Sequence, residues 1–542
     1  MSPRASHAAG SACFLRPPSA VELRTREATT AVRHRFMLTS ESIIRIQEQS
    51  MGEGKRKKKQ RQEDSLLSKR LSRARFDLYT LGTRHSMARV LAQELSCWSD
   101  LDEQIIGLVF RDRQDDDYGW ILLARDRAGR FRWVKMEHSK RSEDYATVGL
   151  RSAIASTLRT ENLAELGSQG DEPNEPFDLL RVSPEIDPAK LHPYFRQLTD
   201  TAGRAPARAA VREIGPWLAP SDPHFVQEFQ CQHFDQRLWE LYLWAAFREL
   251  GFDVKQLEAP DFACSAPGIA FTVEATTVSP SQTGPLAAHP NPQTPEEVKD
   301  FLANYMPMKF GSSLMSKLNK TDAQGRHYWE REETKDKPFV LAVADFHKQA
   351  EQDQLGSMTF THSALWPYLY GHRVEWEMKD GQLITRAVKN SSHTFGTKSI
   401  PSGFFDQPGA ENVSAVLFSN AGTIAKFDRM GVVAGFAAPE HKYFRMGFRF
   451  DPDPNATRGI WFSEDVADPS YVEGWSDELQ IFHNPNARIP LTHEWLSGLA
   501  QFYFEKDSQF SIIPNHHVWA SMTSLIRLVP GDARQRSSTQ NS

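Results

Sequence analysis

The chain has 542 residues, of which 40% are hydrophobic and 25% are charged. Lys and Arg together number 64 against 69 Asp and Glu, so the formal net charge is −5, which excludes the uniformly basic type of nucleic-acid binder. No apolar run approaches the about 18–20 residues that cross a bilayer, and the four cysteines include no CxxC pair. We therefore expect several globular domains in the reducing cytoplasm, with no membrane partner.

The first 75 residues predict a disordered, basic N-terminal segment. They are rich in Ser, Ala, Pro and Arg and show little apolar periodicity. The basic run Lys55–Lys59 could form an arm that contacts phosphates, or a nuclear-localisation-like signal. A solvated tail, or translated sequence ahead of a start at Met51, explains the same composition, and we favour this simpler interpretation.

Residues 76–160 predict a small α+β module. Ile105–Phe110, Trp120–Ala124 and Phe131–Lys135 have the composition of three consecutive strands in a meander. The apolar spacing in Val148–Leu158 then predicts a helix. The segment is long enough for a small independent unit that precedes the main core.

The remainder of the chain predicts three regions. Residues 161–230 are rich in Pro and Asp and predict a helical connector, and residues 231–450 predict the main α/β core. Residues 451–542 predict an aromatic C-terminal extension with a disordered tail. Within this extension, apolar spacing predicts a helix near residues 492–504.

The core region contains elements of both types. Asp235–Leu250 carries a broad apolar face at helical spacing, and Glu296–Asn319 predicts a second helix. Phe339–Ala344 and Ser414–Ser419 are almost continuously apolar. Such runs are typical of strands that are buried on both faces of a sheet.

Two acidic residues stand out between these elements. Asp261 begins a predicted strand, and Glu274 lies on the next strand, Ile269–Val278, after a turn. Side chains two apart on a strand share a face, so Glu274 and Thr276 point the same way. A hairpin of this length can bring Asp261 beside Glu274, and two converging carboxylates favour Mg²⁺ or Mn²⁺, which can activate water and neutralise charge on a phosphate.

The order helix, strand, Pro-Asp strand, Glu strand, helix, strand over residues 231–346 resembles the PD-(D/E)XK restriction-endonuclease-like superfamily. The resemblance implies an α/β fold with a mixed sheet and flanking helices, and hydrolysis of nucleic-acid phosphodiester bonds. It implies that Asp261 and Glu274 ligate the metal. Glu240, on the preceding helix, matches an acidic residue that many members carry.

The sequence departs from this motif at one position. Thr276 stands where the superfamily has a lysine, and a threonine supplies no positive charge. Migrated lysines are a feature of the superfamily, so the resemblance points to Lys317 or Lys320 on the following helix. In this interpretation Lys317 is the displaced lysine, and Thr276 hydrogen-bonds a metal-bound water. The alternative is a fold that binds without cutting.

A second resemblance covers other segments. Trp98–Arg132 and Phe234–Phe252, together with the Val-Glu-Ala-Thr-Thr run at 273–277, are similar to parts of a bacterial protein family. That family implies no established activity, so it adds nothing to the functional prediction.

Competing interpretations involve the same residue types. Glu440 and Lys442 form a literal Glu-x-Lys, twelve residues after Asp428, but the segment before Glu440 is not strand-like. We therefore favour the pair Asp261 and Glu274. Simpler explanations for that pair are that Pro-Asp is a common turn opener and that a glutamate on an edge strand is solvated.

The leading hypothesis is a Mg²⁺-dependent nuclease-like protein whose partner is nucleic acid, and which could act as a homodimer. Binding of DNA or RNA requires only a local basic stripe, which Lys309, Lys317, Lys320 and Arg326 could supply. The alternative hypothesis is a catalytically inactive nuclease-like fold that serves as a nucleic-acid-binding or protein-interaction module.

Overall fold

The computed structural model describes residues 55–56, 58–173, 178–218, 224–347, 361–505 and 508–528. The chain divides into two units, residues 1–60 and 61–542. In the first unit the described residues, 55–56 and 58–60, are helical. Most of the predicted basic segment therefore lies outside the described residues.

The second unit begins with a five-stranded antiparallel sheet whose strands follow one another in order. Its strands are β1 (Ser68–Leu71), β2 (Ala92–Asp100), β3 (Ile105–Asp112), β4 (Tyr118–Arg125) and β5 (Phe131–Lys140). The helices of this part are α1 (Arg73–Tyr79), α2 (Ala88–Leu91) and α3 (Glu143–Thr160). Helix α3 packs Ala146, Leu150 and Ile154 against the sheet, so the predicted meander and the predicted helix are both present.

This sheet begins earlier than the sequence predicts. Strand β1 lies inside the predicted disordered segment, yet it pairs with β2. Lys69 and Arg75 both contact Glu103, at 2.9 and 3.0 Å. The prediction of disorder is wrong for residues 68–75, because the acidic partner of these basic side chains lies about 30 residues further along the chain, where local composition does not reveal it.

The predicted connector is helical and belongs to a core. Its helices are α4 (Pro193–Asp200) and α5 (Ala205–Ile214), followed by a short turn, Phe225–Gln227, that continues as the π-helical turn Glu228–Gln232. Phe195, Val211 and Phe229 are buried in the same hydrophobic cluster as Leu238 of the next helix. The segment therefore packs as part of the main α/β structure.

The rest of the chain supplies five helices and fifteen strands within the described ranges. The helices are α6 (Phe234–Glu249), α7 (Pro295–Asp300), α8 (Met306–Leu318), α9 (His362–Tyr370) and α10 (Ile424–Val433). The strands are β6 (Asp253–Gln256), β7 (Phe262–Ala266), β8 (Ile269–Val278), β9 (Phe339–Asp345), β10 (His372–Lys379), β11 (Gln382–Lys389), β12 (Ser392–Phe395), β13 (Lys398–Pro401), β14 (Ala415–Phe418), β15 (His441–Arg449), β16 (Ile460–Asp465), β17 (Gln480–His483), β18 (Ala500–Glu505), β19 (Ser508–Ile512) and β20 (Val518–Arg527).

An eight-stranded mixed sheet organises this part, in the order β19-β18-β17-β14-β9-β8-β7-β6. Helix α6 packs on one face, and α8 and α9 pack on the other. Successive residues of β9 alternate between the two cores, with Ala342 in the first and Leu341 and Val343 in the second. Because both faces are covered, the strand is continuously apolar, and the mixed α/β class is confirmed. In the described ranges, every helix is too short or too polar to serve as a membrane-spanning segment.

The mixed sheet extends past the predicted core boundary at residue 450. Strands β17, β18 and β19 come from the predicted C-terminal extension. The helix predicted near residues 492–504 is wrong, since His493–Leu496 forms a single 3-10 turn and Ala500–Glu505 is strand β18. Pairing of β18 with β17 decides the conformation of a short apolar run whose spacing alone is ambiguous.

The remaining strands form a three-stranded sheet, β16-β15-β20, and two hairpins, β10–β11 and β12–β13. A buried cluster of charges, which we call the ion cluster, links this sheet to α10. Glu473 contacts Lys426 at 2.6 Å and Arg429 at 2.9 Å, and Glu478 contacts Arg445 at 2.7 Å. Burial alone would raise the pKa of Glu473, but the charges of Arg429, Arg445 and Lys426 hold it well below its usual range.

Candidate active site

The pairing of β7 with β8 leaves a notch at one end of the sheet. Strand β7 begins at Phe262, opposite Val273, whereas β8 continues to Val278. In the notch, the Ala275 backbone N–H donates to Asp261 Oδ2 at 2.7 Å. The end of the shorter strand therefore fixes the Asp261 carboxylate beside the strand that carries Glu274, as the hairpin pattern predicts.

Glu274 lies at the centre of the site and is only 3% exposed. Its Oε1 accepts hydrogen bonds from Lys317 Nζ and from Tyr328 Oη, both at 2.6 Å. Lys317, the lysine to which the resemblance pointed, therefore contacts the Glu274 carboxylate. Tyr328 is a contact that the sequence reasoning missed, because it lies on the 3-10 turn Tyr328–Glu330, where no motif spacing marks it.

One face of α8 runs along β8 and explains how Lys317 is positioned. Lys309, Ser313 and Lys317 are four residues apart and share this face. Ser313 Oγ lies 2.8 Å from Thr276 Oγ1, and Lys309 Nζ donates to the Ser279 carbonyl at 2.6 Å. Four helical residues rise about 6 Å and two strand residues about 6.7 Å, so the step from Ser313 to Lys317 on α8 matches the step from Thr276 to Glu274 on β8. The hydrogen bond between Thr276 and Ser313 therefore holds α8 against β8, and Lys317, one helical turn further along α8, reaches Glu274.

Glu240 is buried on α6 and already has a cationic partner. Arg237 Nη1 lies 3.1 and 3.0 Å from the two oxygens of Glu240. Burial and the charge of Glu274 raise the pKa of Glu240 in spite of Arg237. Glu240 is thus electrostatically part of the site while its carboxylate is occupied by Arg237, an interaction that the sequence reasoning did not include.

Among the other residues of the predicted basic stripe, Lys309 is buried, whereas Lys320 and Arg326 are exposed. Lys309 is 5% exposed, and burial lowers its pKa to about 8. Arg326 pairs with Asp322 at 3.0 Å, and Lys320 lies 5.7 Å from the centre of the Tyr328 ring. The prediction of a surface stripe is wrong for Lys309, since α8 turns that side chain toward the loop after β8.

The charges at the site are not fully balanced. Burial, together with the charges of Glu274 and Glu240, raises the pKa of Asp261 well above its usual range. Burial alone would lower the pKa of Lys317, but the negative charges of the three acids raise it above its usual value. An additional positive charge would therefore be stabilised next to Asp261 and Glu274.

The oxygen atoms available at the site suit a hard cation. No described residue donates a hydrogen bond to Asp261 Oδ1 or to Glu274 Oε2. Across the described residues there is no group of three or more histidine, cysteine or acidic side chains placed to hold a metal ion. Mg²⁺ commonly takes only one or two carboxylates and completes its octahedron with water and phosphate oxygens, so the pair Asp261 and Glu274 fits this ion.

The competing Glu-x-Lys motif does not form a site. Asp428 is buried on α10 and pairs with Arg204. Glu440 is exposed in the turn before β15, and Lys442 contacts Asp465 at 3.2 Å. Each of the three residues is thus engaged elsewhere or solvated, and the arrangement leaves Asp261 and Glu274 as the candidate site.

Asp261→Asn is expected to stabilise the folded protein at neutral and alkaline pH by about 1–3 kcal/mol, because it removes a buried negative charge that Glu274 and Glu240 repel, and a change of one pKa unit corresponds to about 1.4 kcal/mol. The asparagine oxygen can still accept the Ala275 N–H. The folded-state pKa of Asp261 is raised, so its favourable contribution is full below the unfolded-state value and is lost as pH rises through the folded-state pKa. Urea unfolding should therefore show the variant's advantage at pH 8 and none near pH 3. An asparagine variant that is less stable at both pH values would contradict this account.

No protein-family model, curated protein or solved structure matches this chain. The functional interpretation therefore rests on the residues of the site and on their arrangement. The resemblance to the PD-(D/E)XK superfamily stays a prediction from the sequence.

Proposed function

We propose that this protein is a Mg²⁺- or Mn²⁺-dependent hydrolase of nucleic-acid phosphodiester bonds, built on a restriction-endonuclease-like core. One observation carries the proposal: the carboxylate of Asp261, the residue before β7, the carboxylate of Glu274 on β8 and the amino group of Lys317 form one electrostatic group beside the notch. Such a combination of two carboxylates and a cation suits phosphoryl chemistry, which depends on positioning and on charge stabilisation.

Asp261 and Glu274 would hold the metal through the oxygens that accept no hydrogen bond from a described residue. A bound Mg²⁺ would supply charge neutralisation at the phosphate and would lower the pKa of a bound water. The raised pKa of Asp261, which burial causes first and the charges of Glu274 and Glu240 increase further, supports this assignment, because a bound cation would offset both effects.

Lys317 would act as a cation and hydrogen-bond donor. Its pKa is raised, so it stays protonated at neutral pH and cannot serve as a general base. Its amino group would stabilise negative charge that develops on a phosphate bound beside Glu274. Thr276, hydrogen-bonded to Ser313, keeps α8 and therefore Lys317 in position, and it could also bond a water.

The second candidate is a catalytically inactive nuclease-like fold that binds nucleic acid or another protein. It is favoured by one observation: Glu274 is almost fully buried, and Lys317 and Tyr328 already satisfy one of its oxygens. A site whose charges are partly compensated within the chain can persist as a structural feature after catalysis is lost.

Cleavage assays distinguish the two candidates. Supercoiled DNA and a folded RNA are incubated with wild-type protein in Mg²⁺, Mn²⁺ or EDTA, beside Glu274→Gln and the control Glu296→Gln on the exposed face of α7. We expect metal-dependent cleavage that falls at least about 100-fold in Glu274→Gln and is unchanged in Glu296→Gln. Salt-sensitive retention of DNA or RNA without cleavage supports the inactive module. Equal cleavage by Glu274→Gln would contradict the proposed site.

A further inference from the structure

A second site is suggested by a large cavity whose lining residues lie about 90 or more positions after Asp261 and Glu274 in the sequence. The cavity has a volume of about 740 Å³ and lies between α9, β17, β18 and β20. Its lining includes several large aromatic side chains, among them Trp366, Phe482, Phe502 and Trp519. Pockets of about 300–1,000 Å³ with apolar walls and a few polar groups are typical of small-molecule sites.

Two polar atoms in the wall have no hydrogen-bond partner among the described residues. They are Trp366 Nε1 and Gln480 Oε1, and their residues are only 6% and 2% exposed. A buried donor or acceptor without a partner costs about 1–3 kcal/mol. A ligand whose acceptor and donor reached these two atoms would satisfy both, whereas an acyl chain would leave both unpaired.

The ring surfaces favour a planar ligand. Phe482 and Phe502 stack on each other with their centres 4.8 Å apart, and Trp519 stacks on His362 at 5.3 Å. Burial lowers the pKa of His362 to about 3, so this imidazole is neutral at physiological pH. The wall therefore contains uncharged aromatic rings, the kind of side chain on which nucleobases stack.

Positive charge lies at the mouth of the cavity. Arg373 and Arg458 line it and are exposed. Arg373 contacts Glu375 at 2.9 Å, whereas Arg458 forms no ion pair with a described residue. Arg458 is therefore available to an anionic group on the exposed side of a bound ligand.

We propose that this cavity binds a nucleobase, with its ring among the aromatic walls, its edge at Trp366 and Gln480, and its phosphate toward Arg458. A nucleobase carries donors and acceptors on one planar edge and so matches both unpaired atoms. The base could belong to a free nucleotide or to an unstacked nucleotide of a nucleic-acid strand, since the chemistry is the same.

The sheet register relates this cavity to the acidic site. Thr276 pairs with Val343, which pairs with Phe418, and Phe418 pairs with Gln480. Gln480 and Thr276 therefore lie in one row on the same face, three strand spacings or about 14 Å apart. The proposal does not rest on nuclease activity, because ligand binding is measured without cleavage.

Titration calorimetry tests the proposal in EDTA, so that the metal site does not contribute. The probes are AMP, GMP, CMP and UMP, ribose 5-phosphate as a probe without a base, and short single-stranded oligonucleotides with and without one abasic position. We expect binding of base-containing probes and at least tenfold weaker binding of ribose 5-phosphate. Binding of mononucleotides identifies the free nucleotide as the source. Binding of oligonucleotides alone, lost at the abasic position, identifies a strand.

Substitutions then locate the binding. Gln480→Leu and Trp366→Phe remove the two polar atoms and retain most of the side-chain volume. Each substitution is expected to raise the Kd of the base-containing probes at least tenfold. The control is Trp376→Phe on hairpin β10–β11, where Trp376 is 59% exposed. A leucine at position 480 removes a buried unpaired group, so thermal unfolding should show a fold at least as stable as wild type. Nucleobase binding that both cavity variants retain unchanged, or no binding of any base-containing probe by folded protein, would overturn the proposal.

Discussion

Lys317→Met is expected to reduce metal-dependent cleavage about 100- to 1,000-fold while tightening the binding of Mg²⁺ or Mn²⁺. The loss follows because a protonated amine at the reacting phosphate stabilises charge that develops in the transition state. Metal binding tightens because the substitution removes a positive charge that now contacts Glu274 at 2.6 Å and so competes with a cation for the same carboxylates.

The opposite directions of these two effects make the prediction specific. Calorimetric titration of Mn²⁺ and a cleavage time course are measured on the same preparations. The control is Lys320→Met. Lys320 lies just beyond the end of α8 and over the Tyr328 ring, and it makes no contact with Glu274. Weaker metal binding by Lys317→Met, or cleavage equal to that of wild type, would contradict the assigned role of Lys317.

Glu473→Gln is expected to destabilise the protein by about 3–5 kcal/mol, because it leaves buried cations of the ion cluster without sufficient negative charge. Glu473 and Lys426 are both fully buried as side chains. The pKa of Glu473 is lowered, so its stabilising contribution is present above the unfolded-state pKa and is lost as pH falls through the folded-state value. The difference between wild type and variant should therefore persist at pH 6–8 and shrink only in strong acid.

Urea unfolding at pH 7 measures this effect. The matched control is Glu464→Gln on β16, where Glu464 and Arg449 form an ion pair with about a third of each side chain exposed. An exposed pair contributes at most about 1 kcal/mol, so the control should unfold close to wild type. Equal small losses in both variants would show that the ion cluster contributes little to stability.

The sequence was informative where a pattern is local. Period-2 spacing in β8 and the turn before it predicted that Asp261 and Glu274 approach each other, and both residues do belong to one electrostatic group. The resemblance predicted that Lys317 belongs to the site. The structure explains its position, because one face of α8 runs along β8. Strand β9 was predicted from its continuous apolar run, which reflects burial on two sides.

The sequence was uninformative where partners are distant along the chain. Tyr328 reaches Glu274 across 54 residues, and β1 is held by side chains that follow it in sequence. The segment that became β18 has an apolar run compatible with helix or strand, and only its pairing with β17 decides between them. The cavity combines residues from α9 to β20, so no single segment contains a motif for it.

The strand order has a consequence for synthesis on the ribosome. Strand β14 is flanked by β9, which is translated before it, and by β17, which is translated after it. At about 5–20 residues per second, the segment between Phe418 and Gln480 takes about 3–12 s to emerge. During that interval the apolar edge of β14, Ala415–Phe418, has no neighbour on one side and can recruit a foreign strand. Nascent chains of this protein should therefore depend most on chaperones just before β17 is complete.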